Sequence, residues 1–314
     1  MGFRVGSGSV CQAAKQTTWG TSVTPDTLLN MTGESLGVSA EKGDEGNLLA
    51  SKTPSPKDLL AIVCEGGIDT VLRPDFVDWL LECAMGKASS GVYTLADPNT
   101  QLPFSTIVMS RGGIVKTYPD CTIRSLTLDA PAQDYVRASI DLVGTKEIKA
   151  GATGAQTIQT LSFSSKSYRC TQATLLYAAS GSTPSSELCV ESVQIVIDNG
   201  VEDSPATYCS GLYNERPIPG LRNVSVNVTI PYDTALDLFR ETYLLDPSAP
   251  TCALKLTFTT ADAGEKVEVV MPNVSINEAG GNVGGPGIID ASFSGEAMSV
   301  GSTEPITITV THAE

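Results

Sequence analysis

The sequence predicts a mainly β protein of two tandem domains, each with a long Pro-containing arm and one α-helix among its strands. Three observations lead there. Hydrophobic residues make up 41 % of the chain and charged residues only 18 %, with 29 Gly and 18 Pro, a balance of strands and turns rather than helix bundles. Apolar and polar side chains alternate along most of the candidate strands. Ordered matches also recur between the two halves, and 314 residues accommodate about two cores.

Residues 1–22 read as an N-terminal arm carrying Trp19. The first β-domain is expected over 23–150. Its Leu59–Cys64 run is continuously apolar and predicts a strand covered on both faces. A helix follows: Pro74 suits the first helical position, Phe76, Trp79, Leu80 and Cys83 form its core stripe, and Gly86 ends it. Further strands are predicted at Phe104–Met109, Cys121–Asp129 and Tyr135–Val143, the last burying Val136, Ala138, Ile140 and Leu142. A Gly/Ser/Thr-rich connector spans 151–168, with a short strand at Thr157–Phe163.

The second β-domain is expected over 169–314. Glu191–Ile197 alternates and meets Asp198-Asn199-Gly200, a tight-turn signal. Asn223–Ile230 places four β-branched apolar side chains on one face. In the second helix Asp233 is the N-cap, and Leu236, Phe239 and Tyr243 form the core stripe before Pro247. Ala253–Thr259, Val267–Met271 and Pro305–Thr311 complete the strands.

Laying residues 34–144 over 191–295 reveals a common order. Glu34-Ser35 matches Glu191-Ser192 at an offset of 157, and Pro54-x-Pro56 matches Pro217-x-Pro219 at 163. The helices match at 160, while Pro119-Asp120 against Pro272-Asn273, and Ala138-Ser139 against Ala291-Ser292, match at 153. Single dipeptides coincide by chance; the kept order and narrow drift argue for duplication.

Little in the sequence carries chemistry. The one histidine, His312, leaves no Ser-His-Asp or multi-histidine metal arrangement. The eight cysteines have no CxxC spacing and read as reduced core residues. Gly280–Gly287 lacks the Lys-Ser/Thr of a phosphate loop and precedes a strand, and Glu41–Glu45 lacks calcium-loop spacing. The aromatic content of 6 % is low for a sugar-binding cleft, and four N-x-S/T sequons read as coincidence in an Asn/Ser/Thr-rich chain. No cofactor, no metal and no enzymatic activity are expected. The net charge of −15 disfavours binding to nucleic-acid phosphates. No secretory signal or apolar bilayer span is read, so no membrane anchor is expected.

Thr17-Thr18-Trp19-Gly20-Thr21 with Val23-Thr24-Pro25 is similar to the N-terminal segment of tail tube proteins of long-tailed, siphovirus-like bacteriophages. Leu72–Leu81 up to Gly86 resembles their first helix, and Leu102-Pro103-Phe104-Ser105 the strand after it. Val190–Asn199 and Ile218–Val224, running into Asp233–Phe239, resemble the corresponding second-half segments. The resemblance implies that each half is a β-sandwich or β-barrel-like domain with one flanking α-helix and a long extended arm, and that the chain is a structural subunit whose rings stack into a tube with a β-barrel bore that conducts DNA during ejection. Its partners would be other copies of itself, in a ring of three with pseudo-sixfold symmetry or a ring of six. A tape measure and tail-tip or terminator proteins are implied as well, in a virion tail assembled in the host cytoplasm. The stacking arms would be 43–57, with Asp44, Glu45, Lys52, Pro54 and Pro56, and 200–222, with Tyr208, Tyr213, Arg216, Pro217 and Pro219. The alternative is a β-sandwich adhesin or pilus-like binding module, which would predict export and disulfides. A carbohydrate-active β-sandwich enzyme is the third reading, disfavoured by the scarce His and aromatic residues.

Overall fold

The computed structural model describes residues 6–43, 57–97, 100–202, 211–213, 215–231, 234–246, 248, 250–261, 264–281 and 290–313. Asp44, Glu45, Lys52, Pro54, Pro56, Tyr208, Cys209, the expected N-cap Asp233 and most of the Gly280–Gly287 stretch lie outside the described residues, as does the Leu236 side chain.

The chain is mainly β, with two α-helices among the described residues. The first half contains β1 (Val10–Lys15), β2 (Thr27–Leu29), β3 (Met31–Glu34), β4 (Gly37–Gly43), β5 (Asp58–Val71), α1 (Pro74–Met85), β6 (Gly86–Ser89), β7 (Val92–Leu95), β8 (Ser105–Arg111), β9 (Ile114–Pro131), β10 (Arg137–Gly144) and β11 (Ile148–Lys149). The second contains β12 (Arg169–Ala179), β13 (Ser186–Leu188), β14 (Ser192–Asp198), β15 (Val201–Glu202), β16 (Ile218–Pro219), β17 (Asn223–Pro231), α2 (Thr234–Tyr243), β18 (Cys252–Thr259), β19 (Lys266–Gly281), β20 (Asp290–Ala297) and β21 (Thr307–Thr311).

Each half forms a circuit of antiparallel ladders. In the first, β1 pairs β8, β8 pairs β9, β9 pairs β10, β10 pairs β5, and β5 pairs β3 and β4. β2 pairs β1 and leads through Asn30 into β3, which closes the circuit. In the second, β12, β18, β19, β20, β17, β14 and β13 follow the same order.

The registers repeat as well as the order. Cys11↔Leu29 in the first half becomes Leu175↔Leu188 in the second. Cys11↔Met109 becomes Leu175↔Leu256, and Ser105↔Cys121 becomes Cys252↔Val274. Leu142↔Ile123 becomes Gly295↔Ile276, and Arg137↔Val71 becomes Asp290↔Pro231. Two irregularities recur at matched places. The β8–β9 ladder slips between Ser105 and Ile107, as β18–β19 does between Cys252 and Leu254. The β9–β10 ladder skips Arg124, and β19–β20 skips Asn277. These ladders give the 153 and 160 offsets of the sequence reading. The β3–β4–β5 and β14–β17 ladders correct the 157 offset: Glu34-Ser35 corresponds to Val193-Gln194, not to the chance look-alike Glu191-Ser192.

The halves meet at a long joint, where β14 adds to the second half of β9 from Ser192↔Pro131 to Asp198↔Ser125, and again where β21 pairs β7 from Thr307↔Thr94 to Thr309↔Val92. A hydrophobic core runs through both circuits, with Ile68, Ile140 and Leu126 on one side of the joint and Ile195, Val226 and Phe293 on the other.

Helix α1 starts as expected at Pro74, and Gly86 ends it in the left-handed region at φ 85°, its N–H bonding to Glu82 O. It buries Phe76, Trp79, Leu80 and Cys83, and Trp79 Nε1 donates to Ser105 Oγ at 3.1 Å. In α2, Phe239 is buried among Tyr177, Tyr243 and Phe293, with ring centroids 5.6, 4.8 and 4.9 Å away.

Four sequence expectations are corrected. Residues 10–15, read as part of an arm, form β1 inside the first circuit, with Cys11 and Ala13 buried. Leu59–Cys64 is a strand but is not covered on both faces: it is the stem of the β4–β5 hairpin, and Leu60 is 61 % exposed. Thr157–Phe163 forms no strand, because side chains anchor it instead; Gln159 N donates to Gln12 Oε1 and Gln12 Nε2 to Gln159 O, at 2.8 and 2.7 Å. Cys189 is exposed, whereas Cys11, Cys64, Cys83, Cys121, Cys170 and Cys252 are buried; all seven described cysteines are free thiols.

Candidate assembly surfaces

Alternation in β5, β10, β9, β14, β17 and β20 sends apolar residues inward and leaves one uninterrupted outer face. Cross-strand register arranges that face in rows. One row runs Asp69, Ser139, Thr127, Val196, Ser225 and Glu296. The next runs Arg137, Asp129, Gln194, Asn227 and Ser294. The residues behind them, among them Ile140, Leu128, Ile195 and Val226, are buried.

This wall is polar and acidic. Glu65, Asp69, Asp129, Asp141, Asp198 and Glu296 face outward with only Arg124 and Arg137 for balance. Desolvation raises the Asp141 carboxyl above its ordinary range, and the like charges of Glu65 and Asp198 add to this against the pull of Arg124, 3.6 Å away. Desolvation likewise raises Asp129 despite Arg137. A surface that holds carboxylates this close repels a further anion.

Among the described residues the wall ends on each side in a strand edge without a second ladder. Among the described residues β4 has a ladder to β5 and no second one, and the Glu278–Gly281 segment of β19 has a ladder to β20 and no second one. Open edges of this kind invite another strand.

Both expected arms are rooted beside the wall. The stem of arm 43–57 is the β4–β5 hairpin, which projects Val38, Leu59 and Leu60 into solvent. The Asp198-Asn199-Gly200 signal turns the chain into arm 200–222, whose base is closed by Val201↔Pro219 and Glu202↔Ile218. The turn is fastened from inside: the buried Asn199 donates through Nδ2 to Ala84 O and Ile123 O at 2.9 and 3.1 Å. Tyr213 bridges to Ile62, and Ile62 N donates to Leu212 O at 2.8 Å, so the second arm returns along the stem of the first. Arg216 lies over the Phe104 and Trp19 rings at 4.6 and 5.6 Å and donates to Leu102 O at 3.1 Å. Pro217 is buried and Pro219 half-buried. Of the candidate arm residues, Tyr213 is thus held at Ile62, Arg216 at Trp19 and Phe104, and Pro219 at Val201. The wall itself was missed in the sequence, although its alternating strands carried the signal.

Burial pushes the Cys11, Cys64, Cys83 and Cys252 thiols up to about 12, away from the reactive thiolate. His312 is held between Asp78 and Glu265, at 2.7 and 3.2 Å, and fastens β21 to α1. Among the described residues no group of three or more His, Cys, Asp or Glu is placed to hold a metal ion.

A search of curated proteins found no match. A sequence model of the phage tail tube protein family matches residues 6–297, nearly the whole chain. The matched span contains both ladder circuits, the wall and both arm roots, and on that match the chain belongs to the phage tail tube protein family.

Proposed function

We propose that copies of this chain close side by side into rings that stack into a DNA-conducting tail tube, with the acidic wall as the bore. The observation that carries this reading is the continuous polar sheet face that ends, among the described residues, in an open strand edge on each side. A sheet with two free edges and one wet face satisfies its backbone groups by closing on further copies, head to tail. The matched ladders support two duplicated β-domains, the first taking in β1 together with 23–150 and the second spanning 169–314, joined by the 151–168 connector. Two such units per chain favour three copies with pseudo-sixfold symmetry over six copies.

At −15 per chain, a ring of three carries a formal charge of −45, so genomic DNA slides through without specific binding. The exposed Leu59, Leu60 and Leu212 at the arm feet are suited to contacts between stacked rings. Tape measure and tail-tip or terminator proteins would complete the virion tail, and free thiols suit assembly in the reducing host cytoplasm. The subunit acts structurally, not as an enzyme. Negative-stain imaging of concentrated protein tests this: end-on averages should show rings with a central bore and six lobes in two alternating kinds. Featureless monomers under every assembly condition would overturn it, and six identical chains per ring would replace the three-copy form.

A further inference from the structure

We infer that the joint between neighbouring chains repeats, residue for residue, the β9–β14 joint inside the chain, with β4 of one copy paired antiparallel to Glu278–Gly281 of the next. This inference rests on the ring reading above and adds to it a register.

The ladder correspondences supply that register. β14 corresponds to β3 and β4 with Ile197 on Val38, and β9 corresponds to β19 with Leu126 on Ala279. Inside the chain Ile197 pairs Leu126 and Ile195 pairs Leu128. Carried over, Val38 of one copy faces Ala279 of its neighbour, Gly37 faces Gly280 and Ser39 faces Glu278.

Three features of the two edges agree with this pairing. Ser35 N donates to Gly67 O at 2.8 Å, and antiparallel alternation along the same register turns the Val38 backbone groups to the outer edge. On the β19 side, Glu278 and Gly280 pair across to β20 in the places that Ser125 and Thr127 hold against β10, which leaves Ala279 where Leu126 meets β14. Burial points the same way. Val38 is 43 % exposed, while its counterpart Ile197, paired to Leu126 in the joint, is 0 % exposed. At the next position the Leu36 carbonyl already accepts from Arg111, so pairing centres on Val38.

Cross-linking tests the register. Directly opposed residues of an antiparallel pair lie about 4.5–5.5 Å apart at Cα, within disulfide reach. The full chain carrying Val38→Cys and Ala279→Cys, with Cys189→Ser and Cys209→Ser, is assembled, oxidised and run on denaturing gels without reductant. The expected products are covalent dimers and trimers, nothing above three, converted to monomer by reductant. Each single-cysteine variant should give none. The pair Val38→Cys with Gly281→Cys, displaced by two residues, should cross-link at least ten-fold less. Rings by imaging without the Val38–Ala279 link, or with the displaced pair linking better, would overturn the register and leave the tube reading standing. A ladder running to six would overturn the repeat of the internal joint in a three-copy ring, and a double variant that forms no rings is compared with the two single variants, whose assembly must match wild type.

Discussion

Replacing Asp120 by Ala should unfasten the N-terminal corner of the first circuit. Asp120 is buried where β9 bends, at φ 61°, a left-handed conformation that Asp tolerates and Ala resists. Its Oδ1 accepts from Gly20 N at 2.7 Å and Gln16 Nε2 at 3.0 Å, while its own N–H donates to Gln16 Oε1 at 2.7 Å. Losing the carboxylate leaves the Gly20 amide without its acceptor, at about 1.5–3 kcal/mol for a hydrogen bond to a charged group. Forcing Ala into the left-handed region adds about 1–2 kcal/mol. The expected loss is therefore about 2.5–5 kcal/mol. Asp120→Asn keeps an acceptor oxygen and the turn preference, and should cost about 1 kcal/mol. Urea unfolding of the unassembled chain measures both losses. Hydrogen exchange over Thr17–Ser22 gives the local readout, because only the Ala variant should expose the Gly20 amide. If Asp120→Ala lies within about 0.5 kcal/mol of wild type, or leaves Gly20 protected, the reasoning fails.

Two further outcomes follow from the second circuit. Phe239→Ala empties the space among Tyr177, Tyr243 and Phe293 and should cost about 3–5 kcal/mol by urea unfolding; a loss under about 1 kcal/mol would mean the aromatic cluster collapses freely. Glu268 takes hydrogen bonds from Lys255 and Lys266, which hold its carboxyl below the ordinary 4.5 despite some desolvation. A depressed folded value means the stabilisation is present above the unfolded value and is lost as pH falls through the folded one. Glu268→Gln should thus melt at lower temperature than wild type at pH 7, with the gap closing in acid; a gap that persists well below the carboxylate range would contradict this assignment.

The sequence made periodic elements legible and concealed tethered ones. Asn223–Ile230 and Pro74–Gly86 could be read because alternation, a proline start and a glycine stop are local signals. β12 is half-exposed along much of its length, and β6 and β7 are only four residues each, so their periodicity is weak. The apolar Leu59–Cys64 run misled because an apolar run does not encode which of its faces is covered, and Leu59 and Leu60 stay exposed on the hairpin stem. Asn199 read only as part of a tight-turn signal, yet its amide is buried at the junction of α1 and β9, a long-range arrangement no local pattern encodes. The duplication was legible in outline, but its true spacing near Ser35 emerged only from hydrogen-bond register.

The β6–β7 hairpin breaks the equivalence of the halves. It follows α1, and β7 pairs with the C-terminal strand at Thr307↔Thr94 through Thr309↔Val92; the stretch after α2 has no such strand among its described residues. In a closed assembly of three chains the circumference therefore alternates between decorated and bare units. A protein that grips the hairpin finds three berths where the barrel beneath offers six near-identical positions. Stoichiometry at the outer surface is then set by a decoration rather than by the barrel, so a shell or cap of true sixfold order must ignore the hairpin or dock elsewhere.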